Sequence, residues 1–207
     1  SVSRLAGLDS TMGQIQLGSR QIQADAFPMG IDYPRYARAV QSPKVNQYVR
    51  SFRAKTHRRK VILSVDRLDY TKGILQRLEA YDLFLTENPQ YARKVVMIML
   101  AVPSRTGVEH YENLRNRVDQ LVGRINGKHA TIGWVPIWYM YRSLSFERLT
   151  ALYAVSDVAL ITPLRDGMNL IAKEYIASSS DGKGVLILSE MAGAASDCSG
   201  VLPRPRA

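Results

Sequence analysis

The sequence predicts an α/β fold: a parallel sheet covered by helices on both faces. Short apolar runs rich in β-branched residues, such as Val61-Ile62-Leu63-Ser64-Val65, recur along the chain and read as strands buried on both sides. Segments of helical composition separate these runs, the alternation that builds a parallel sheet. Two of the runs lead straight into Gly-containing loops, and ligands in such sheets bind beyond the carboxyl ends of the strands.

The elements follow in order. Residues 23–27 form a short strand leading into the Pro28-Met29-Gly30 turn, and residues 43–55 a helix. Residues 60–65 are a strand, followed by a helix over 74–86 that stops at Asn88-Pro89. The unbroken apolar run 95–101 is a strand, and 108–125 a long amphipathic helix. A shorter strand is predicted over 130–134, a helix over 145–155 and a strand over 158–161. A helix over 170–178 and a strand over 185–188 close the pattern, with no internal repeat or low-complexity linker.

The composition narrows the function classes. A chain of 207 residues suffices for one sizeable domain, which buries roughly 70% of its unfolded surface. No apolar stretch approaches the roughly 20 residues that span a bilayer, so no membrane partner is expected. Ser1-Val2-Ser3-Arg4-Leu5 has neither an apolar signal core nor an initiator Met, which suggests a piece cut from a longer chain. Cys198 is the single cysteine, which rules out an internal disulfide and fits a cytoplasmic location. The net charge of +10 raises the question of nucleic acid. Its dense cluster, Arg50, Arg53, Lys55, Arg58, Arg59 and Lys60, has no interleaved aromatics for base stacking. No helix-turn-helix, zinc-knuckle or RNP-like pattern accompanies it. A solvated face, or charge balanced by a missing part of the protein, is the expectation, with no nucleic-acid partner.

Two loops carry chemistry. Val158-Ala159-Leu160-Ile161 ends in Thr162-Pro163-Leu164 and enters Arg165-Asp166-Gly167-Met168-Asn169-Leu170-Ile171-Ala172-Lys173-Glu174-Tyr175. A strand, a Gly-containing turn without a hydroxyl or thiol nucleophile, and a helix start suit an anion or a nucleotide sugar. Free N–H groups and the dipole at a helix N-terminus bind phosphate oxygens. Asp166, where the turn opens, can accept from sugar hydroxyls, and Glu174 from a vicinal diol such as that of a ribose. The same residues also fit a plain helix start capped by Asp166 or Asn169. After the strand at Val61 come Asp66-Arg67-Leu68-Asp69-Tyr70-Thr71-Lys72-Gly73-Ile74. Here Arg67 as a fork and Lys72 as a mobile point charge can converge on one diphosphate. Taken alone, they also read as solvated loop cations beside Asp66 and Asp69.

Together these segments resemble the trehalose-6-phosphate synthase family of retaining glycosyltransferases. The blocks that carry the resemblance are Phe27-Pro28-Met29-Gly30-Ile31-Asp32, Arg67 to Ile74, Pro103-Ser104-Arg105, Arg165 to Tyr175, and Leu188-Ser189-Glu190-Met191-Ala192-Gly193-Ala194-Ala195. They occur in order from about Gly7 to Ala195, and the Asp-Gly-Met-Asn-Leu-x-Ala-Lys-Glu-Tyr string is the specific one. The resemblance implies a Rossmann-like parallel sheet flanked by helices, the C-terminal half of a two-domain GT-B-type glycosyltransferase. The nucleotide-sugar domain would span residues 1–195, and 196–207, ending Pro203-Arg204-Pro205-Arg206, would be an irregular tail.

The implied reaction is glucosyl transfer from UDP-glucose to glucose 6-phosphate, giving α,α-trehalose 6-phosphate and UDP. Arg67 and Lys72 match the pair on the donor diphosphate, where they would neutralise charge on the leaving group. Asp166 matches the acid that holds the donor glucose; these three are the candidate catalytic residues. Gly167, Met168, Asn169, Leu170, Ile171, Ala172, Lys173 and Glu174 match the stretch meeting the nucleotide, with Glu174 on the ribose. Lys173 fits a helix-surface cation equally well. Leu144 falls near a position lining the uridine pocket, or is helix-start packing. Arg105 matches the residue on the acceptor phosphate.

No metal is implied, since Arg67 and Lys72 take the cation's role, and no other cofactor is expected. His57, His110 and His129 read as surface histidines. Trp134 and Trp138 read as packing under a loop. Glu190 and Gly193 lie in a stretch that is close to the donor site in the family, and that a structural turn explains equally. A relative with another donor or acceptor, or a non-catalytic sugar-nucleotide module, shares the same phosphate grip. The piece alone is expected to bind donor without turnover. A homo-oligomer stays open.

Overall fold

The computed structural model describes residues 10–11, 13–24, 29–104, 109–179 and 182–198. Five strands form the expected parallel sheet: β4 (Lys60–Arg67), β5 (Val95–Val102), β6 (Ile137–Tyr141), β7 (Val158–Ile161) and β8 (Val185–Leu188). Their spatial order is β6-β5-β4-β7-β8, every pair parallel. The chain therefore starts in the middle at β4, builds outward through β5 and β6, then returns to the other side of β4 with β7 and β8. The reversal falls between β4 and β7, which makes their carboxyl ends the topological switch point where such sheets bind ligands.

Helices α2 (Pro43–Thr56), α3 (Ile74–Glu87), α4 (Glu109–His129), α5 (Phe146–Val155) and α6 (Leu170–Ser178) cover the sheet, preceded by a short α1 (Tyr33–Ala39) and followed by α7 (Ala195–Cys198). Strand β5 shows why both faces must be covered. Val95, Met97, Met99 and Ala101 pack with Leu78, Tyr81 and Leu85 of α3 and Leu114, Val118 and Ile125 of α4. The alternate residues Val96, Ile98 and Leu100 pack with Leu152 and Tyr153 of α5 and Ala172 and Tyr175 of α6. The period of two along the strand divides one apolar run between two cores. At the edge, β8 keeps Val185 and Ile187 exposed.

Local chemistry sets the helix boundaries. The Ser42 hydroxyl caps α2 and Pro43 follows in its first turn. His57 ends α2 in the left-handed conformation. Gly73 opens α3 at φ 64°, where an added Cβ would lie 2.5 Å from the Thr162 carbonyl oxygen. Asn88 and Pro89 close α3 as expected.

Three expectations are corrected. Residues 130–134 are not a strand: they make a turn with an isolated Thr131–Trp134 bridge, and the strand is Ile137–Tyr141. Trp134 is buried as a loop anchor, its indole donating to the Val95 carbonyl at 2.7 Å, and Gly133 turns at φ 82°. The strand predicted over 23–27 ends at Gln23, and 25–28 lie outside the described residues. It belongs instead to an antiparallel sheet of β1 (Ser10–Thr11), β2 (Gln14–Leu17) and β3 (Arg20–Gln23), with Gly18 and Ser19 as a two-residue hairpin loop. Finally, α4 runs on to His129, past the predicted end at 125.

Candidate functional site

The loop after β4 is a fixed turn. Asp69 accepts from the Thr71 amide at 2.8 Å and its hydroxyl at 2.7 Å, which caps the single 3₁₀ turn Tyr70–Lys72. Burial alone would raise the Asp69 carboxyl, but these bonds, one from Tyr111 and the charge of Lys72 hold it below the usual carboxylate value. The Thr71 carbonyl in turn accepts from the amides of Leu164 (2.8 Å) and Arg165 (3.2 Å), stitching this turn to the loop after β7.

Across that seam Lys72 Nζ meets Asp166 Oδ2 at 2.6 Å, both side chains about one-seventh exposed (13% and 14%). Asp166 also accepts from Asn169 Nδ2 at 3.0 Å and from the Met168 amide at 3.3 Å. Burial pushes its carboxyl up, but the Lys72 hydrogen bond, the Met168 amide and the Lys72 charge outweigh this and leave the pKa lowered. Asp166 is thus an ionised, oriented acceptor.

Asn169 sits at φ 71° and caps α6, its Oδ1 accepting from the Ala172 amide at 3.0 Å. The Asn169 cap is the one the alternative reading of this segment offered, and it takes the N–H of Ala172, whose side chain is fully buried. The Leu170 and Ile171 amides, in the same first turn, have no acceptor among the described residues. They face the end of the helix that favours anions.

A third loop closes the site. The Asp166 amide donates to Met191 O (3.1 Å), and the amides of Gly193 and Ala194 donate to Asp166 O (2.9 Å) and Met168 O (2.7 Å). A Cβ on Gly193 would run into the Gly167 carbonyl, so this close approach admits only glycine. Gly193 is therefore part of the scaffold under Asp166.

Other predicted residues fall as follows. Arg67 ends β4, exposed, with no ion pair or hydrogen bond from its side chain among the described residues. Met168 and Leu170 are half-buried beside Asp166, and Gly167 is exposed. Ile171 and Leu144, both partly buried, pack on the core cluster containing Tyr153 and Tyr175. Lys173 Nζ bonds Asp197 at 2.7 Å and the Met29 carbonyl at 3.2 Å, so it ties α6 to its neighbours. Glu174 is not a free acceptor, because the buried Tyr153 hydroxyl donates to its Oε2 at 2.7 Å. Arg105 lies outside the described residues. His129 is not a surface residue: its side chain is 14% exposed and bonds Asp82 at 2.6 Å. Of the basic cluster, Arg59 donates to the Arg93 and Gly133 carbonyls and Lys60 pairs with Asp157, so part of it serves the fold.

Arg77, which no site motif contains, holds the floor. Strands β4 and β7 pair at only two positions, Ile62–Val158 and Leu63–Ala159. Beyond them, the Arg77 guanidinium spans the gap. It reaches Asp66 and Ser64 of β4 at 2.6 Å each, Thr162 Oγ1 at 3.1 Å and the Lys72 carbonyl at 2.9 Å. The Arg77 and Asp66 side chains are 0% and 3% exposed. Burial pushes the Asp66 carboxyl up against the opposing pull of Arg77. The sequence signal is a charge inside the buried stripe Ile74, Leu78, Tyr81 and Leu85 of α3.

A doubly covered parallel sheet whose switch-point loops present cations, an oriented carboxylate and free helix amides is a Rossmann-like domain of the GT-B glycosyltransferase kind. The profile of glycosyltransferase family 20 matches residues 1–202, and the chain belongs to that family.

A bifunctional trehalose-6-phosphate synthase/phosphatase of Thermoproteus tenax is 49% identical over 197 residues, 95% of this chain and 27% of that protein. An α,α-trehalose-phosphate synthase (UDP-forming) of Burkholderia xenovorans in complex with glucose-6-phosphate superposes with TM-score 0.86 at 36% identity, covering 93% of this chain and 42% of that one. A trehalose-6-phosphate protein from E. coli bound with UDP-2-fluoro glucose gives TM-score 0.86 at 34% identity, covering 99% and 46%. The chain thus spans less than half the length of each of these proteins.

Proposed function

We propose that this chain is the donor-binding part of an enzyme that transfers glucose from UDP-glucose to glucose 6-phosphate, forming α,α-trehalose 6-phosphate and releasing UDP. The observation that carries the proposal is the Lys72–Asp166 pair at the switch point, with Arg67 unpaired among the described residues at the end of β4 and the Leu170 and Ile171 amides open. The names of the relatives supply the sugar and the nucleotide.

In this reading Arg67 and Lys72 meet the diphosphate and neutralise charge as it grows on the leaving group. The Leu170 and Ile171 amides add donors at the positive end of α6. Asp166, fixed by Lys72 and Asn169, accepts from the donor glucose, and Glu174 accepts from the ribose. The acceptor hydroxyl attacks on the face from which UDP departs, which retains the anomeric configuration. Orientation and leaving-group stabilisation then carry the rate, without a nucleophilic carboxylate. Arg105 takes the acceptor phosphate by resemblance. The domain spans residues 1–195. The single cysteine and the phosphorylated substrates fit a cytoplasmic enzyme.

Isothermal titration of UDP-glucose and GDP-glucose into the chain tests the reading. Selective binding of UDP-glucose, weakened about tenfold or more by Arg67→Ala and by Glu174→Ala, is expected. A folded chain that binds neither nucleotide sugar refutes donor binding by this piece. Turnover by the chain alone would refute its role as only the donor part.

A further inference from the structure

The carboxylate proposed to read the ribose is itself held by a buried phenol. Glu174 lies on α6, half-buried, with Oε2 taking the Tyr153 hydroxyl at 2.7 Å. Tyr153 comes from α5 and is 1% exposed, so its hydroxyl has been withdrawn from water for this contact. Tyr36, half-buried on α1, is near enough for its phenol to feel the Glu174 charge. Burial and then Glu174 push both phenols up, Tyr36 to about 12, so both keep their protons at neutral pH.

Helix α1 is fastened against this face. Tyr36 packs edge-on against Phe146 with ring centroids 5.2 Å apart, and the Arg35 guanidinium lies 4.3 Å from the centre of the Phe146 ring. One turn of α6 is thereby tied both to α5 and to α1. A carboxylate has about four acceptor positions, so the Tyr153 phenol leaves capacity for the two hydroxyls of a vicinal diol.

We propose that Tyr153 and Tyr36 are positioning residues that aim the Glu174 carboxylate at a vicinal diol and so set the preference for a ribonucleotide donor. This rests on the reading of Glu174 as the ribose acceptor. A carboxylate with free rotation would reach one hydroxyl or the other. One clamped by a buried phenol presents its open lone pairs in a fixed direction, and little ordering remains to be done on binding. Tyr153 never touches the ligand, so its effect should appear as lost discrimination between sugars rather than as uniform weakening.

The test is a binding cycle with UDP and 2′-deoxy-UDP, using wild type, Tyr153→Phe, Tyr36→Phe and Glu174→Ala, with thermal unfolding of each to establish folding. Wild type should prefer UDP by about tenfold, the scale of one hydrogen bond to a charged group. Glu174→Ala should abolish that preference. Tyr153→Phe should remove most of it while weakening 2′-deoxy-UDP less than UDP, since that ligand offers the aimed carboxylate only its 3′-hydroxyl. Tyr36→Phe should shift the preference the same way by a smaller factor, and does so without deleting a fully buried hydroxyl. A Tyr153→Phe or Tyr36→Phe protein that keeps the full preference, or loses both ligands equally, overturns the proposal while leaving Glu174 on the ribose. A wild-type chain without preference, or a Glu174→Ala variant that retains it, overturns the ribose reading and this proposal with it.

Discussion

Replacing Arg77 by Met removes a guanidinium that joins both ligand loops and leaves Asp66 buried without its hydrogen-bonded cation. The two side chains are 0% and 3% exposed and 2.6 Å apart, and Asp66 Oδ1 already has no hydrogen-bond partner. Breaking such a pair by removing one partner costs about 3–5 kcal/mol, because the remaining charge stays desolvated. That is a large share of the roughly 5–15 kcal/mol by which domains are stable. For a domain of this size it corresponds to a fall of roughly 6–20 °C in the unfolding midpoint.

Urea unfolding at neutral pH, followed by circular dichroism, gives the free energy if the slope m is unchanged. Arg77→Met/Asp66→Asn should recover about 1–2 kcal/mol relative to Arg77→Met, because the stranded charge is gone. Recovery stays partial, since Ser64, Thr162 and the Lys72 carbonyl still lack their donor. A single variant within about 1 kcal/mol of wild type, or a double variant as unstable as the sum of the singles, would refute the reasoning.

Two further outcomes follow from other contacts. Burial would raise the Asp82 carboxyl, but the hydrogen bonds from Lys128 and His129 outweigh it and hold it below its ordinary 3.8. The folded chain then binds that proton less tightly than the unfolded one. The stabilisation is full above pH 3.8 and fades as the pH falls through the lowered value. Asp82→Asn should lower stability by about 1 kcal/mol or less at pH 7, with thermal scans converging on wild type in stronger acid. Gly193→Ala should cost about 2 kcal/mol or more and weaken UDP-glucose, because the methyl group displaces the Gly167 carbonyl beneath Asp166. Unchanged affinity would mean that the 189–195 loop does not position Asp166.

The parallel strands are legible in the sequence because burial on both faces leaves no reason for polar alternation. Val158–Ile161 and Val185–Leu188 form as predicted for that reason. The hairpin of β2 and β3 escapes because its alternation is sparse: Gln14, Gln16, Gln21 and Gln23 surround Ile15 and Ile22. Residues 130–134 mislead because Trp134 looks like strand and is instead a loop residue whose indole is bonded to the Val95 carbonyl. In the site, each loop's own chemistry can be read locally: a turn, a helix cap, a cation. The partners cannot. Lys72 and Asp166 are 94 residues apart, and their meeting depends on β7 returning to the free side of β4, which no local pattern encodes. The same return brings α5 and α6 side by side, so that Glu174 meets Tyr153 rather than open water. Arg77 shows how part of that order could be inferred. A guanidinium cannot sit in the stripe of Ile74, Leu78, Tyr81 and Leu85 without a buried acceptor. Asp66, the charged residue within the buried run of β4, is the acceptor that stripe requires. Because Arg77 donates to Thr162 as well, the pair also marks where β7 has to arrive.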